Sequence, residues 1–169
     1  SRGLGDVYKR QDFRLDKDGR EDVWEQVDVP HTWNAKDGTS PDYYRGDGTY
    51  RYTLSVSPAM MKKRIFLRFE AASQKAEVKL NGQEVGEHVG GFNAFCFEIT
   101  PYVHSGENLL EVIVSNRKEL NIAPLEGDFT VFGGIYRPVS LLLLPKACIT
   151  PLDYASSCLL YTSDAADDK

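Results

Sequence analysis

The sequence predicts an all-β, antiparallel sandwich, and three observations predict it. Apolar and polar residues alternate with a period of two in run after run. Clusters of Gly, Asn, Asp and Pro separate the runs at short intervals, and no stretch between Asp12 and Ser157 sustains a 3.6-residue apolar period. Each such strand has one face to bury, and two sheets packed face to face bury all of them at once.

In chain order, VDVP at Val27–Pro30 ends a short strand at a proline. Thr49–Val56 places Tyr50, Tyr52, Leu54 and Val56 on one face. In Arg64–Phe69, Ile65, Leu67 and Phe69 point inward, with Arg64 and Arg68 outward. Ala76, Val78 and Leu80 alternate with Lys75, Glu77 and Lys79; Asn81-Gly82 follows at once, and both tolerate positive φ, so a type I′ turn returns Gln83–His88 antiparallel beside that strand. Further strands are expected at Ala94–Ile99, Leu109–Ser115 and Ile135–Leu144, the last two apolar on both faces, as central strands are.

The two ends stand outside this pattern. Asp6–Gln11 reads DVYKRQ and Cys158–Ser163 reads CLLYTS. Both can be encoded by one DNA segment read on opposite strands and displaced by one base, a relation that unrelated ends of a natural protein have no reason to obey. The segment is identified as the mosaic end of a transposase adapter. Residues 1–11 and 158–169 are therefore expected to be translated adapter, and 12–157 a single domain.

The charges of the two flanks cancel, so that domain keeps the net −5 of the 169-residue chain. Mild acidity speaks against nucleic acid or an anionic membrane as partner. Leu141–Pro145 is too short an apolar run to span a bilayer. Cys96 and Cys148 are too few for a disulfide framework, and Cys96, within FCFEI, reads as a small buried thiol. The compartment is left open.

Five ordered blocks carry a family resemblance. They are VDVPHTWN (27–34), YYRGDGTYRYTL (43–54), AEVKLNGQEVGEHVGGFNAFCFEIT (76–100), ENLLEVIVSN (107–116) and APLEGDFTVFGGIYRPVSLL (123–142). Together they resemble the amino-terminal sugar-binding domain of glycoside hydrolase family 2, in its β-galactosidase-like members. The resemblance implies a jelly-roll, galactose-binding-like sandwich, followed in the parent chain by an immunoglobulin-like domain and a catalytic TIM barrel. It also implies a β-galactoside-like carbohydrate as partner.

Candidate site residues follow from the same blocks. At the position of Asp128 the resemblance implies an aspartate on the active-site rim that touches the sugar and a bound cation. A carboxylate accepts hydrogen bonds from two pyranose hydroxyls; alternatively Asp128 is an Asx-turn residue capping its own loop. His31 and its neighbour Trp33 either meet a sugar or anchor the sandwich edge. Arg45 either orients a substrate hydroxyl or pairs with a neighbouring domain. GGIYR at Gly133–Arg137 lets the backbone bend closely before re-entering a strand, and the planar fork of Arg137 suits a carboxylate or carbonyls.

Glycoside cleavage needs two carboxylates flanking the bond. The resemblance places both in the barrel, and nothing in this chain matches them. The domain is therefore expected to hold no catalytic residue, no cofactor and no metal of its own, although the parent enzyme is expected to use a monovalent or divalent cation. An autonomous carbohydrate-binding module, a purely structural sandwich, and the same domain from a β-glucuronidase or β-mannosidase are the competing readings. An interruption of CITPLDYASS where the family continues into its next domain favours the enzyme.

Overall fold

Two ten-residue strands form the spine. β3 (Asp47–Val56) and β8 (Gly106–Ser115) pair antiparallel from Asp47↔Ser115 to Val56↔Gly106. The computed structural model describes residues 10–17, 19, 22–122, 129–148 and 151. The other strands are β1 (Gln11–Asp16), β2 (Glu25–Val27), β4 (Arg64–Phe69), β5 (Lys75–Leu80), β6 (Gln83–Val89), β7 (Phe95–Glu98) and β9 (Val139–Leu144). They form a six-stranded sheet in the order β2-β1-β3-β8-β5-β6 and a three-stranded sheet in the order β7-β4-β9, all pairs antiparallel. The all-β jelly-roll sandwich is the observed fold.

The alternation read from the sequence builds the core. Tyr50, Leu54 and Val56 of β3 meet Ile65, Leu67 and Phe69 of β4 in one buried cluster with Ala76, Val78 and Leu80 of β5. Tyr52, expected on the same face, is half-buried at its margin. Asn81 and Gly82 have φ of 52° and 78°, the pair of positive values a type I′ turn requires. The outer face of the large sheet carries ion pairs, Arg51–Glu111, Lys75–Glu77 and Arg117–Asp47 among them.

Three expectations are corrected. The last strand begins at Val139, not Ile135, because Gly134 takes φ of 122° and Pro138 has no N–H to give a ladder. Among the described residues β9 is an edge strand that pairs with β4 alone, although it is apolar on both faces. Its second face belongs to a small apolar layer outside the sandwich: Leu142 lies opposite Phe66, which is fully buried beneath the Arg64 guanidinium at 5.0 Å. Glu98 holds that guanidinium by two hydrogen bonds of 3.0 and 2.6 Å. Third, Cys96 is half-buried rather than buried, and burial still pushes its thiol up to about 11; it and Cys148 are free.

β1 was not foreseen. It takes in Gln11, buried and paired with Val27, so the sandwich begins one residue before the boundary read from the sequence. Of the two expected adapter flanks, residues 1–9 of the first and all of 158–169 lie outside the described residues.

Candidate functional site

At one end of the sandwich the loops 31–46 and 129–137 are tied to the end of β8 by buried side-chain amides. β8 delivers Asn116 one residue past its last rung, where its N–H still donates to Gly46 O at 3.0 Å. Asn116 Oδ1 accepts from Gly46 N at 2.8 Å, and Nδ2 donates to Val131 O at 2.9 Å and to Asn34 Oδ1 at 3.2 Å. Asn34 sits in a 3-10 turn, Trp33–Ala35, capped by Thr32. Its Oδ1 accepts from Gly133 N at 2.8 Å, and its Nδ2 donates to Asp37 Oδ1 and Tyr44 O, both at 2.9 Å. Thr32 Oγ1 donates to Gly133 O at 2.8 Å, and Val131 N donates to Tyr43 OH at 3.0 Å. The buried amides are fully met, as burial in a low-dielectric interior demands.

Glycine is required where these loops touch. A Cβ on Gly133 would lie 2.0 Å from the Trp33 ring, and one on Gly48 2.8 Å from it, so the indole occupies space that any side chain there would need. Arg137 is exposed, with its guanidinium 5.7 Å from the neighbouring Tyr136 ring.

His31 and Trp33 are packed into the sandwich edge. The Trp33 ring stacks on Phe13 of β1 at 5.9 Å and 13°. His31 lies 4.8 Å from the same phenyl ring, and its N–H donates to Ile135 O at 2.7 Å. Its Nδ1 is 2.9 Å from Tyr50 OH. Ile135 N donates to that hydroxyl oxygen at 3.4 Å, and burial pushes the Tyr50 pKa upward, so the phenol keeps its proton and donates it to Nδ1. That bond suits the neutral imidazole with its proton on Nε2, and burial lowers the ring's pKa in the same sense.

A pH dependence follows. Burial lowers the pKa of His31, against a smaller opposing pull from Glu25, and burial likewise lowers His88, against its bond to the Gly90 backbone. As pH falls below about 6.5 the unfolded chain takes up these protons before the folded one does. Stability is thus complete above that value and declines as pH falls toward the folded pKa values. The urea midpoint should be lower at pH 5.5 than at 7.5, and His31→Asn should flatten part of that slope; a midpoint that rises on acidification would contradict it.

Arg45 spends hydrogen bonds inside the domain. Its Nε donates to Asn116 O at 2.7 Å and its Nη2 to Gln74 Oε1 at 3.1 Å. Asp47, its companion in YYRGDG, instead pairs with Arg117 at 3.0 Å. Asp128 lies outside the described residues, immediately before Phe129. Among the described residues no three His, Cys, Asp or Glu side chains come close enough together to hold a metal ion, and no helix is long and apolar enough to cross a membrane.

The structure therefore brings His31, Trp33 and Arg45 to one end of the sandwich, joined by residues not singled out from the sequence: Asn34, Asn116, Gln74 and Phe13. Two of the quoted blocks, VDVPHTWN and ENLLEVIVSN, end in the asparagines that meet, and that shared ending was the available signal.

The sequence model described as glycosyl hydrolases family 2, sugar binding domain, matches residues 11–145. The chain belongs to glycoside hydrolase family 2. A β-glucuronidase of Bacteroides fragilis is 49% identical over 134 residues, covering 78% of this chain and 19% of the relative. A β-galactosidase of Thermoanaerobacter pseudethanolicus is 37% identical over 152 residues, 83% of this chain and 19% of the relative. Among solved structures, Bacteroides uniformis β-glucuronidase 2, covalently bound to cyclophellitol-6-carboxylate aziridine, superposes with a TM-score of 0.79 at 37% identity, over 90% of this chain and 19% of that one. The family 2 domain described here thus spans about a fifth of the length of these relatives.

Proposed function

We propose that this domain is the amino-terminal, non-catalytic wall of the active site in a β-galactosidase-like family 2 enzyme. The observation that carries the reading is the gathering of loops 31–46 and 129–137 at one end of the sandwich, with Phe129 and Phe132 exposed there at 56% and 45%. Large apolar rings left in water suit contact with another domain or with a sugar face. Asp128 precedes Phe129, and its carboxylate would accept hydrogen bonds from substrate hydroxyls. The two carboxylates that cleave the glycosidic bond come from the barrel, and the isolated chain hydrolyses no chromogenic galactoside. A cation in the parent enzyme would take its ligands from Asp128 and from other domains; no step of this proposal runs through it.

Asp128 provides the test. Hydrogen bonds to a charged group are worth roughly 1.5–3 kcal/mol. In the complete enzyme, Asp128→Ala should therefore lower kcat/KM about ten- to a hundredfold while leaving Tm nearly unchanged. Unchanged kinetics with a large loss of Tm would reduce Asp128 to a turn residue and end the reading. A β-glucuronidase is the second reading, favoured by the 49% identity to an enzyme of that name. Chromogenic galactoside and glucuronide, assayed side by side on the complete enzyme, separate the two.

A further inference from the structure

We propose that Asn34 and Asn116 are a positioning pair: together they set where the 129–134 segment lies on the end of the sandwich, and with it the aim of the exposed Phe129 and Phe132. The functional half of this inference rests on the reading of that end as part of a sugar site.

Both side chains are completely buried, at 0% exposure. Their hydrogen bonds go almost entirely to loops. Asn34 reaches Asp37, Tyr44 and Gly133, while Asn116 reaches Gly46, Val131 and Asn34 itself. Only the backbone of Asn116 touches the ladder, extending β8 by its bond to Gly46. The two side chains thus add no rung within the strands; they fix two loops, 31–46 and 129–137, relative to one another and to the end of the spine. Arg45 closes the arrangement by donating to Asn116 O at 2.7 Å and to the buried Gln74 at 3.1 Å. A buried polar network whose members are all satisfied specifies a position more than it adds net stability.

An amide is needed because each side chain both donates and accepts. Asn116 Nδ2 faces two oxygens within 3.2 Å, Val131 O and Asn34 Oδ1. Asn116→Asp keeps the shape and puts a carboxylate oxygen against those acceptors, so the 131–133 segment loses its tether and is repelled.

Amide exchange on the 169-residue chain tests the structural half. In Asn116→Asp, exchange at Val131 and Gly133 should speed at least about tenfold, while Val112 and Val114 within β8 keep their protection. Thr32→Val serves as a second, milder variant, since it removes the Thr32 bond to Gly133 O from a half-buried position. Local acceleration in either variant supports the proposal. Unchanged exchange at both amides, or uniform acceleration throughout the sandwich in both variants, overturns it.

A double-mutant cycle in the complete enzyme tests the functional half. Asn116→Asp should lower kcat/KM, and its effect should largely vanish in a Phe132→Ala background, because the pair acts through the segment that carries Phe132. Fully multiplicative losses would overturn the coupling. If Asp128→Ala alone leaves kinetics unchanged, the sugar-site reading fails, and the exchange result still decides the positioning role.

Discussion

Gly134→Ala should cost about 3–5 kcal/mol and leave the domain at the margin of folding. Gly134 holds φ of 122°, where an L side chain is strained whatever space surrounds it. Space is also lacking: a Cβ there would lie 2.5 Å from His31 O and 2.8 Å from Tyr50 OH. The first is backbone and cannot rotate away. The second is the hydroxyl that bridges His31 and Ile135, so relieving the overlap breaks that bridge as well. Gly134 also accepts from Ser73 N at 3.1 Å in the isolated bridge that joins the loop to the segment before β5. Against a usual total of about 5–15 kcal/mol, such a loss is large. Urea unfolding followed by tryptophan fluorescence measures it, and a midpoint close to the parent chain's would show that the loop accommodates a side chain.

Phe13→Ala is the second substitution with a large expected effect, about 3–5 kcal/mol. Phe13 is 1% exposed and is the only residue whose ring touches His31, Trp33 and Tyr50 together, at 4.8, 5.9 and 4.8 Å among the described residues. Removing it opens a cavity beneath both the core and the loop end, beside a Trp33 ring whose other near neighbours include the backbone of Gly48 and Gly133. The substitution should lower the urea midpoint and red-shift Trp33 fluorescence as water reaches the indole. Phe13→Leu should recover more than half of the loss. If Phe13→Ala costs under about 1 kcal/mol, β1 is not the support that its burial implies.

What could be read from the residues was whatever depends on a short repeat. β4 was expected at Arg64–Phe69 and lies there, because three inward apolar residues alternate between two arginines. The turn at Asn81-Gly82 was legible because positive φ at two successive positions is nearly a property of that dipeptide. β1 escaped because DFRLD offers only Phe13 and Leu15 against three charges, beside a flank that obscured its start. Ile135–Arg137 read as strand because alternation carries no information about the backbone angle of the preceding glycine. Asn34 and Asn116 escaped for a different reason. A lone asparagine at the end of a strand reads as a turn residue, and only the folded chain shows that two of them share one hydrogen bond.

That shared bond ties the site to the completion of the fold. Asn34 precedes β3, Asn116 follows β8, and Gly133 comes before β9, so their meeting joins three segments far apart in sequence at the Asp47↔Ser115 end of the spine. The β5–β6 hairpin, by contrast, joins neighbours in sequence and needs nothing else in place. A chain that has formed only its local pairs therefore contains no partial version of the loop end. The loop end and the finished sandwich depend on the same long-range closure, and a change that loosens this end of the spine loosens the loops with it.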